Sequence, residues 1–298
     1  MTATTLRTAL VIGCGTAGTS VALALTGAGV DVALLDEDPQ ALAEAVALGA
    51  GTGWTPRRPP AGIVVIATPP SAVVDVLHQA QSRGLGHVYT DTAGTKEIIC
   101  AEAELRGCDL KGYVPGHPLA GPDAPGRAAA DAGRFTGRPW VLCPYETTPG
   151  WALETAAALI GLCGARRLDL EPHVHDRVAA ELSHGPHLVA AALATRFARS
   201  STALLGLADD ALRDAVRPAG GDPWLWGDVL AHNAGPVADV LDRLAGQLTR
   251  AAAVLREGAG SAPLELAVLL EQGRQGQAAL EEARELRTPR DARTGDRV

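Results

Sequence analysis

Four groups of polar residues in this chain have the types and spacing to do chemistry. Asp91-Thr92-Ala93-Gly94-Thr95-Lys96 follows an apolar run, which puts it at the C-terminal end of a strand. That is the edge of an open α/β sheet where ligands gather. Gly116-His117-Pro118-Leu119-Ala120-Gly121 follows a second run, Tyr113–Pro115, so His117 is expected on a loop. A positioned imidazole there can act as a base near neutral pH; a structural turn histidine is the competing reading. His175-Asp176 precedes Ser183-His184-Gly185-Pro186-His187, in which His184 and His187 share one helix face. Two such histidines could ligate a metal, but no Glu follows the first and no Cys lies nearby, so no metal site is expected. Arg213 and Arg217 stand four apart, followed by Asp222-Pro223-Trp224-Leu225-Trp226. A planar guanidinium grips a carboxylate through two hydrogen bonds, while an arginine pair salt-bridged within its own helix is the plainer alternative.

Phosphate recognition is written near the start. Gly13-Cys14-Gly15-Thr16-Ala17-Gly18 follows Ala9-Leu10-Val11-Ile12 and opens a helical pattern. Gly13 makes a tight turn, Gly15 lets a pyrophosphate approach the backbone, and Gly18 lets helix and strand pack closely. Thr16 and Ala17 lie at the entry to the helix, whose unpaired N–H groups and partial positive charge face the phosphates. Asp36 ends the second apolar run, where an acid hydrogen-bonds an adenosine ribose diol. Asp36-Glu37-Asp38 would repel a 2′-phosphate, which favours NAD over NADP.

These residues need a frame. The first 170 positions alternate apolar runs with amphipathic helical ones. Strands are expected at Ala9–Ile12, Val30–Asp36, Ile63–Ala67, Val88–Asp91, Tyr113–Pro115, Trp140–Cys143 and Arg166–Leu170. Helices fall at 17–27, 39–48, 71–83, 96–106 and about 148–162. Runs of Val and Ile without strict alternation fit a parallel sheet buried on both faces. After Leu170 only helical patterns remain: about 176–204, 224–232, 235–257 and 263–286. The fold class is therefore α/β, a Rossmann-like doubly wound parallel sheet over 1–170 followed by an all-helical domain over 171–286, with a flexible tail at 287–298. The later helices carry more apolar surface than a small domain buries, which points to a helical homodimer.

Composition limits what else the chain could be. Among 298 residues, 47% are hydrophobic and 20% charged, as in an ordinary globular protein. The net charge of −8, with no Lys/Arg block, speaks against a nucleic-acid or anionic membrane partner. Five cysteines without a CxxC pair fit a reducing compartment. No apolar stretch is long enough to span a membrane, and no cleavable signal pattern is seen, so a cytoplasmic enzyme is expected.

Taken in order, Gly13–Gly18, Ala67-Thr68-Pro69-Pro70, Asp91–Lys96, His117-Pro118-Leu119-Ala120-Gly121, Ser183-His184-Gly185-Pro186-His187 and Arg213–Trp226 resemble the prephenate/arogenate dehydrogenases. The resemblance runs from about Leu10 to Asn233. It implies a Rossmann domain, a helical dimerisation domain, and NAD-dependent oxidative decarboxylation of a prephenate-like carboxylate in tyrosine biosynthesis. It assigns His117 as the catalytic group that accepts a hydrogen bond from the C4 hydroxyl, and Arg217, supported by Asp214, as the grip on a substrate carboxylate. Arg213, Ser183, His184, His187, His175, Trp226 and Gly94 fall on the substrate side. Thr68, Pro69 and Asp91 join the glycine turn on the cofactor side.

Departures from the family keep the substrate open. Gly94 stands where the family usually carries a Ser that helps hold the C4 hydroxyl and the histidine, so Thr92, Thr95, water or another group must take that task. Val216 and Pro218 flank Arg217 in place of the usual pattern. A 4-amino-4-deoxyprephenate dehydrogenase of a specialised pathway is one alternative, and a non-catalytic NAD-binding sensor is another. The 3-hydroxyacid and 6-phosphogluconate types carry a catalytic lysine early in the second domain; here the last lysine is Lys111. The length leaves little room for the regulatory ligand-binding domain that some relatives append, so tyrosine feedback through such a domain is not expected.

Overall fold

The computed structural model describes residues 6–119, 130–257 and 262–285. Ala120 and Gly121 of the second polar group, and the tail expected over 287–298, lie outside the described residues. Strands β1 (Thr8–Ile12), β2 (Asp31–Leu35), β3 (Thr52–Gly53), β4 (Ala61–Ile66) and β5 (Gly86–Asp91) form one sheet in the order β3-β2-β1-β4-β5. Every pairing in it is parallel. Helices α1 (Thr16–Gly27), α2 (Pro39–Ala47), α3 (Pro70–Ser82) and α4 (Glu97–Leu105) supply the connections and the helix after β5.

Side chains of the central strands alternate between two buried clusters, because successive residues of a strand face opposite sides of the sheet. Ala9 and Val11 of β1, with Ile63 and Val65 of β4, pack against α1 and α5 (Gly150–Leu162). Leu10, Ile12, Val64 and Ile66 point the other way, onto α3 and α4. Both faces being covered is why these strands read as unbroken apolar runs. The chain order reverses at β1, flanked by β2 and β4, and this opens a crevice beyond the C-terminal ends of β1 and β4.

The remaining strands do not extend that sheet. β6 (Gly116–Pro118), β7 (Pro139–Leu142) and β8 (Arg166–Asp169) form a separate three-stranded sheet, with β6 antiparallel to β7 and β7 parallel to β8. The strand expected at Tyr113–Pro115 is reduced to a single bridge between Tyr113 and Tyr89. His117, expected on a loop, sits in the middle of β6 opposite Val141. Pro118 is tolerated there because β6 is an edge strand, where a missing N–H costs no ladder bond.

The helix expected over 176–204 is broken into α6 (Pro172–Ala179), a π turn (Ala180–His184), α7 (Gly185–Thr195) and α8 (Thr202–Leu205). Pro186 lacks the N–H that would bond Leu182, and the Gly185 N–H instead reaches back five residues to the Ala180 carbonyl. Next come α9 (Asp210–Val216), a 3-10 turn (Arg217–Gly220), α10 (Pro223–Ala231), α11 (Ala234–Glu257) and α12 (Ala262–Glu285). By contacts, one compact unit runs from Met1 to Ala238 and a second from Asp239 to Val298. Within the first unit α6 packs against α4 and α10 against α3.

The turn after β1 depends on close approach. Gly13 has φ +101°, and a Cβ at Gly18 would lie 2.0 Å from the Gly13 carbonyl oxygen. A Cβ at Gly15 would meet nothing within 4 Å. Gly18→Ala is therefore expected to lower stability in urea unfolding by about 2 kcal/mol or more, and Gly15→Ala by well under ~1 kcal/mol. Equal losses in the two variants would contradict this account of the turn.

Candidate active site

The glycine turn is tied to the acid predicted to accompany it. The Asp36 carboxylate, just past β2, accepts from the Cys14 N–H at 2.5 Å and from the Asp38 N–H at 2.8 Å. It is thereby held at the crevice mouth beside the turn. Gly15, Thr16 and Ala17 are half-buried along the same edge. Pro69 caps the start of α3, and the Thr68 hydroxyl beside it is buried without a hydrogen-bond partner. The open space over Gly15, the anchored carboxylate and this unused hydroxyl together fit a dinucleotide.

Asp91 has a different place from the one expected. It is fully buried at the end of β5, and its carboxylate accepts from Lys96 Nζ at 2.6 Å, the Ala93 N–H at 2.9 Å, the Tyr113 hydroxyl at 2.7 Å and the Gly116 N–H at 3.2 Å. With its lone pairs so engaged, Asp91 does not face a cofactor. It is the buried floor that joins β5 to the strand carrying His117. Lys96 is equally buried, and a buried charge pair persists only when satisfied this fully.

Above this floor a chain of three side chains fixes His117. The Asp176 carboxylate accepts from the Lys96 and Glu97 N–H groups at 2.8 and 2.9 Å, at the start of α4. It also meets His175 Nδ1 at 2.7 Å. His175 therefore donates from Nδ1, and its Nε2 must accept from His117 Nδ1, 2.8 Å away. His117 is left with an unprotonated Nε2, the lone pair of a base. Gly94 offers no side chain for the task of the family's usual serine, so the group that orients His117 is His175. The Thr95 hydroxyl, by contrast, is buried with no partner.

His184 approaches from the π turn. Its Nδ1 lies 2.9 Å from Asn233 Nδ2, which also donates to the Asp176 carbonyl at 2.8 Å. The two rings converge over Gly94, where a Cβ would stand 3.6 Å from His184 Nε2 and 3.9 Å from His117 Cε1. His187 stacks on Trp226 at 3.5 Å between ring centroids, and His184 meets the same indole edge-on at 6.2 Å. Ser183 is exposed. Burial drives the His117 pKa well below its usual value, with His175 and Lys96 adding to the shift. Burial likewise brings His184 down to about 4.

The arginines are not drawn into this cluster. Arg217 opens the 3-10 turn that Pro218 imposes, so it leaves the α9 register it was expected to share with Arg213. Both are exposed, and Arg217 pairs with Asp214 at 3.5 Å. The turn itself ends against the site: a Cβ at Gly221 would lie 3.2 Å from His187. Sequence reasoning missed Asn233, which sits in the break between α10 and α11, and gave no role to Tyr113 or Lys96. Among the described residues no group of three or more His, Cys, Asp or Glu is arranged to hold a metal ion, and no helix is long and apolar enough to cross a membrane.

A histidine held neutral in the fold but free to protonate when unfolded makes stability fall with acidification below pH ~6.5, because the unfolded state then binds more protons. With His184 at about 4, its share is about 2 kcal/mol between pH 7 and pH 5. Urea unfolding at pH 7, 6 and 5 should show this loss, and His184→Gln should flatten it. An equally steep fall in that variant would mean that His184 is not the group responsible.

Comparison with known proteins agrees with this architecture. Residues 21–168 match the family model "Prephenate dehydrogenase, nucleotide-binding domain", and residues 171–272 match "Prephenate dehydrogenase, dimerization domain". The chain is 38% identical over 260 residues to "Probable prephenate dehydrogenase NovF" of Streptomyces niveus, covering 86% of this chain and 72% of that protein. It is 30% identical over 251 residues to the prephenate dehydrogenase of Bacillus subtilis, covering 79% of this chain and 66% of the relative. In fold it resembles the prephenate dehydrogenase of A. aeolicus solved with hydroxyphenyl propionate and NAD+, with a TM-score of 0.81, 22% identity, and coverage of 93% and 99% of the two chains. A Synechocystis arogenate dehydrogenase gives a TM-score of 0.72 at 24% identity, over 92% and 100% of the two chains. The chain belongs to the prephenate dehydrogenase family.

Proposed function

We propose that this chain is an NAD-dependent dehydrogenase that oxidatively decarboxylates prephenate, or a close ring analogue such as arogenate, and works as a homodimer. The observation that carries this reading is the His117 Nε2 lone pair, held by His175 and Asp176 over the end of β5. That end borders the crevice into which the glycine turn and Asp36 also project.

Gly13, Gly15, Thr16, Ala17 and Gly18 would cradle the pyrophosphate, Asp36 the adenosine ribose, and Thr68 and Pro69 the wall toward the reacting end. When bound, NAD+ supplies the hydride acceptor. His117 Nε2 accepts a hydrogen bond from the C4 hydroxyl, stabilising the positive character that grows on C4–O as the C4–H bond gives up its electron pair. The bond from C1 to the carboxylate then breaks; CO2 leaves, its bonding pair enters the ring, and the oxygen remains as a phenol. His117 does this at neutral pH because burial keeps it unprotonated. Arg217, on an exposed turn packed beside His187, is suited to swing onto a substrate carboxylate and exchange Asp214 for it. His187 and Trp226 line the same wall. Exposed leucines on α11 and α12, among them Leu248, Leu255, Leu264 and Leu270, supply apolar surface for a second copy of the chain.

Purified protein given NAD+ should form NADH with prephenate or arogenate; no turnover with these or with 4-amino-4-deoxyprephenate overturns the enzyme reading in favour of a sensor. His117→Asn should lower kcat by at least about 10²-fold and leave NAD affinity within about twofold. Wild-type kcat in the variant would mean that the base lies elsewhere.

A further inference from the structure

Asn233 performs no task in the mechanism above, yet it is 2% exposed and bonded to two parts of the site. Its orientation follows from its partners. The Asp176 carbonyl can only accept, so the side-chain nitrogen must face it, at 2.8 Å. The same nitrogen has a second hydrogen, and that hydrogen points at His184 Nδ1, 2.9 Å away. His184 Nδ1 is therefore an acceptor, and the ring proton sits on Nε2. The side-chain oxygen is left buried with no partner, an unfavourable arrangement that the two donated bonds outweigh. His184 Nε2 is the atom that faces the space over Gly94, beside His117.

We propose that Asn233 is a positioning residue that holds the His184 proton on Nε2, so that the pocket over Gly94 presents one donor nitrogen beside one acceptor nitrogen and takes a C4 hydroxyl in preference to a C4 ammonium. The inference rests on the dehydrogenase reading. A hydroxyl donates to His117 Nε2 and accepts from His184 Nε2 at once. An ammonium has three donors and no acceptor, so it leaves the His184 N–H unpaired and crowded by like polarity. Gly94 makes the pairing possible from this side, because no side chain stands between the substrate atom and the two rings. His184, with its pKa brought down to about 4 by burial, stays neutral at working pH and offers a single proton.

Long-range 1H–15N NMR of the histidine rings in the full chain reads the tautomer directly. At pH 7 the wild type should show His184 protonated at Nε2 only; protonation at Nδ1 overturns the proposal. Asn233→Leu keeps the volume and removes the donor, so an Nδ1–H population should appear. In the same variant, the ratio of kcat/KM for prephenate over 4-amino-4-deoxyprephenate should fall by about tenfold or more, with NAD affinity unchanged. An unchanged ratio in a folded variant also overturns it. If the wild type turns over none of the ring substrates, the functional reading fails while the tautomer is still read, so the two failures are distinguishable.

Discussion

The carboxylate of Asp176 is the joint on which the rest of the site turns. It is buried, and a buried carboxylate is costly unless hydrogen bonds replace the water it gave up. Two of its partners are N–H groups at the start of α4, where the helix offers unpaired donors and a partial positive charge. The third is His175. One side chain thus ties α6 to the sheet layers and sets the orientation of the base. The backbone of the same residue, through its carbonyl, holds Asn233 and with it His184. Loss of the carboxylate would release α4, His175 and His117 together.

The site sorts its charges by depth. Asp91 and Lys96 form a fully paired floor, and Asp176 sits at the level of the helix start. Burial, with His175 and Lys96 adding to it, keeps His117 neutral, and burial keeps His184 neutral against the opposing pull of Asp176. A lone pair and an N–H, and not full charges, therefore face the space over Gly94. That suits the proposed step, in which positive character appears only transiently at C4–O. A permanent imidazolium beside it would oppose that charge. The guanidinium groups of Arg213 and Arg217 stay outside, in solvent.

Much of this was legible because it is local. The glycine turn, Asp36, and the parallel strands left their marks in a few adjacent residues, and His117 stood out between its glycine and proline. What was not legible depends on distant partners. Nothing near Asp176 in sequence says that its carboxylate caps a helix starting some ~80 residues earlier. Asn233 reads as an ordinary break between two helices. Tyr113 sits in an apolar run that looks like a strand, yet most of it serves as a spacer between Asp91 and the β6 edge. Pro186 did carry a signal: a proline one turn into a helix predicts lost backbone bonding, and the π turn is how the chain absorbed it.

Glycine has opposite meanings at two points of the same site. At Gly18 the backbone of the turn leaves no room for a Cβ, so the residue is demanded by packing. At Gly94 a Cβ would find ordinary contacts at 3.6–3.9 Å, so packing demands nothing. The space there is consequently a property of the pocket and not of the fold. A side chain at that position would stand against His184 Nε2 and the Cε1 edge of His117 and narrow the space before them. Its absence leaves that space bordered by the two rings and Val229, and the protonation of those rings is set from behind, by Asp176 through His175 and by Asn233.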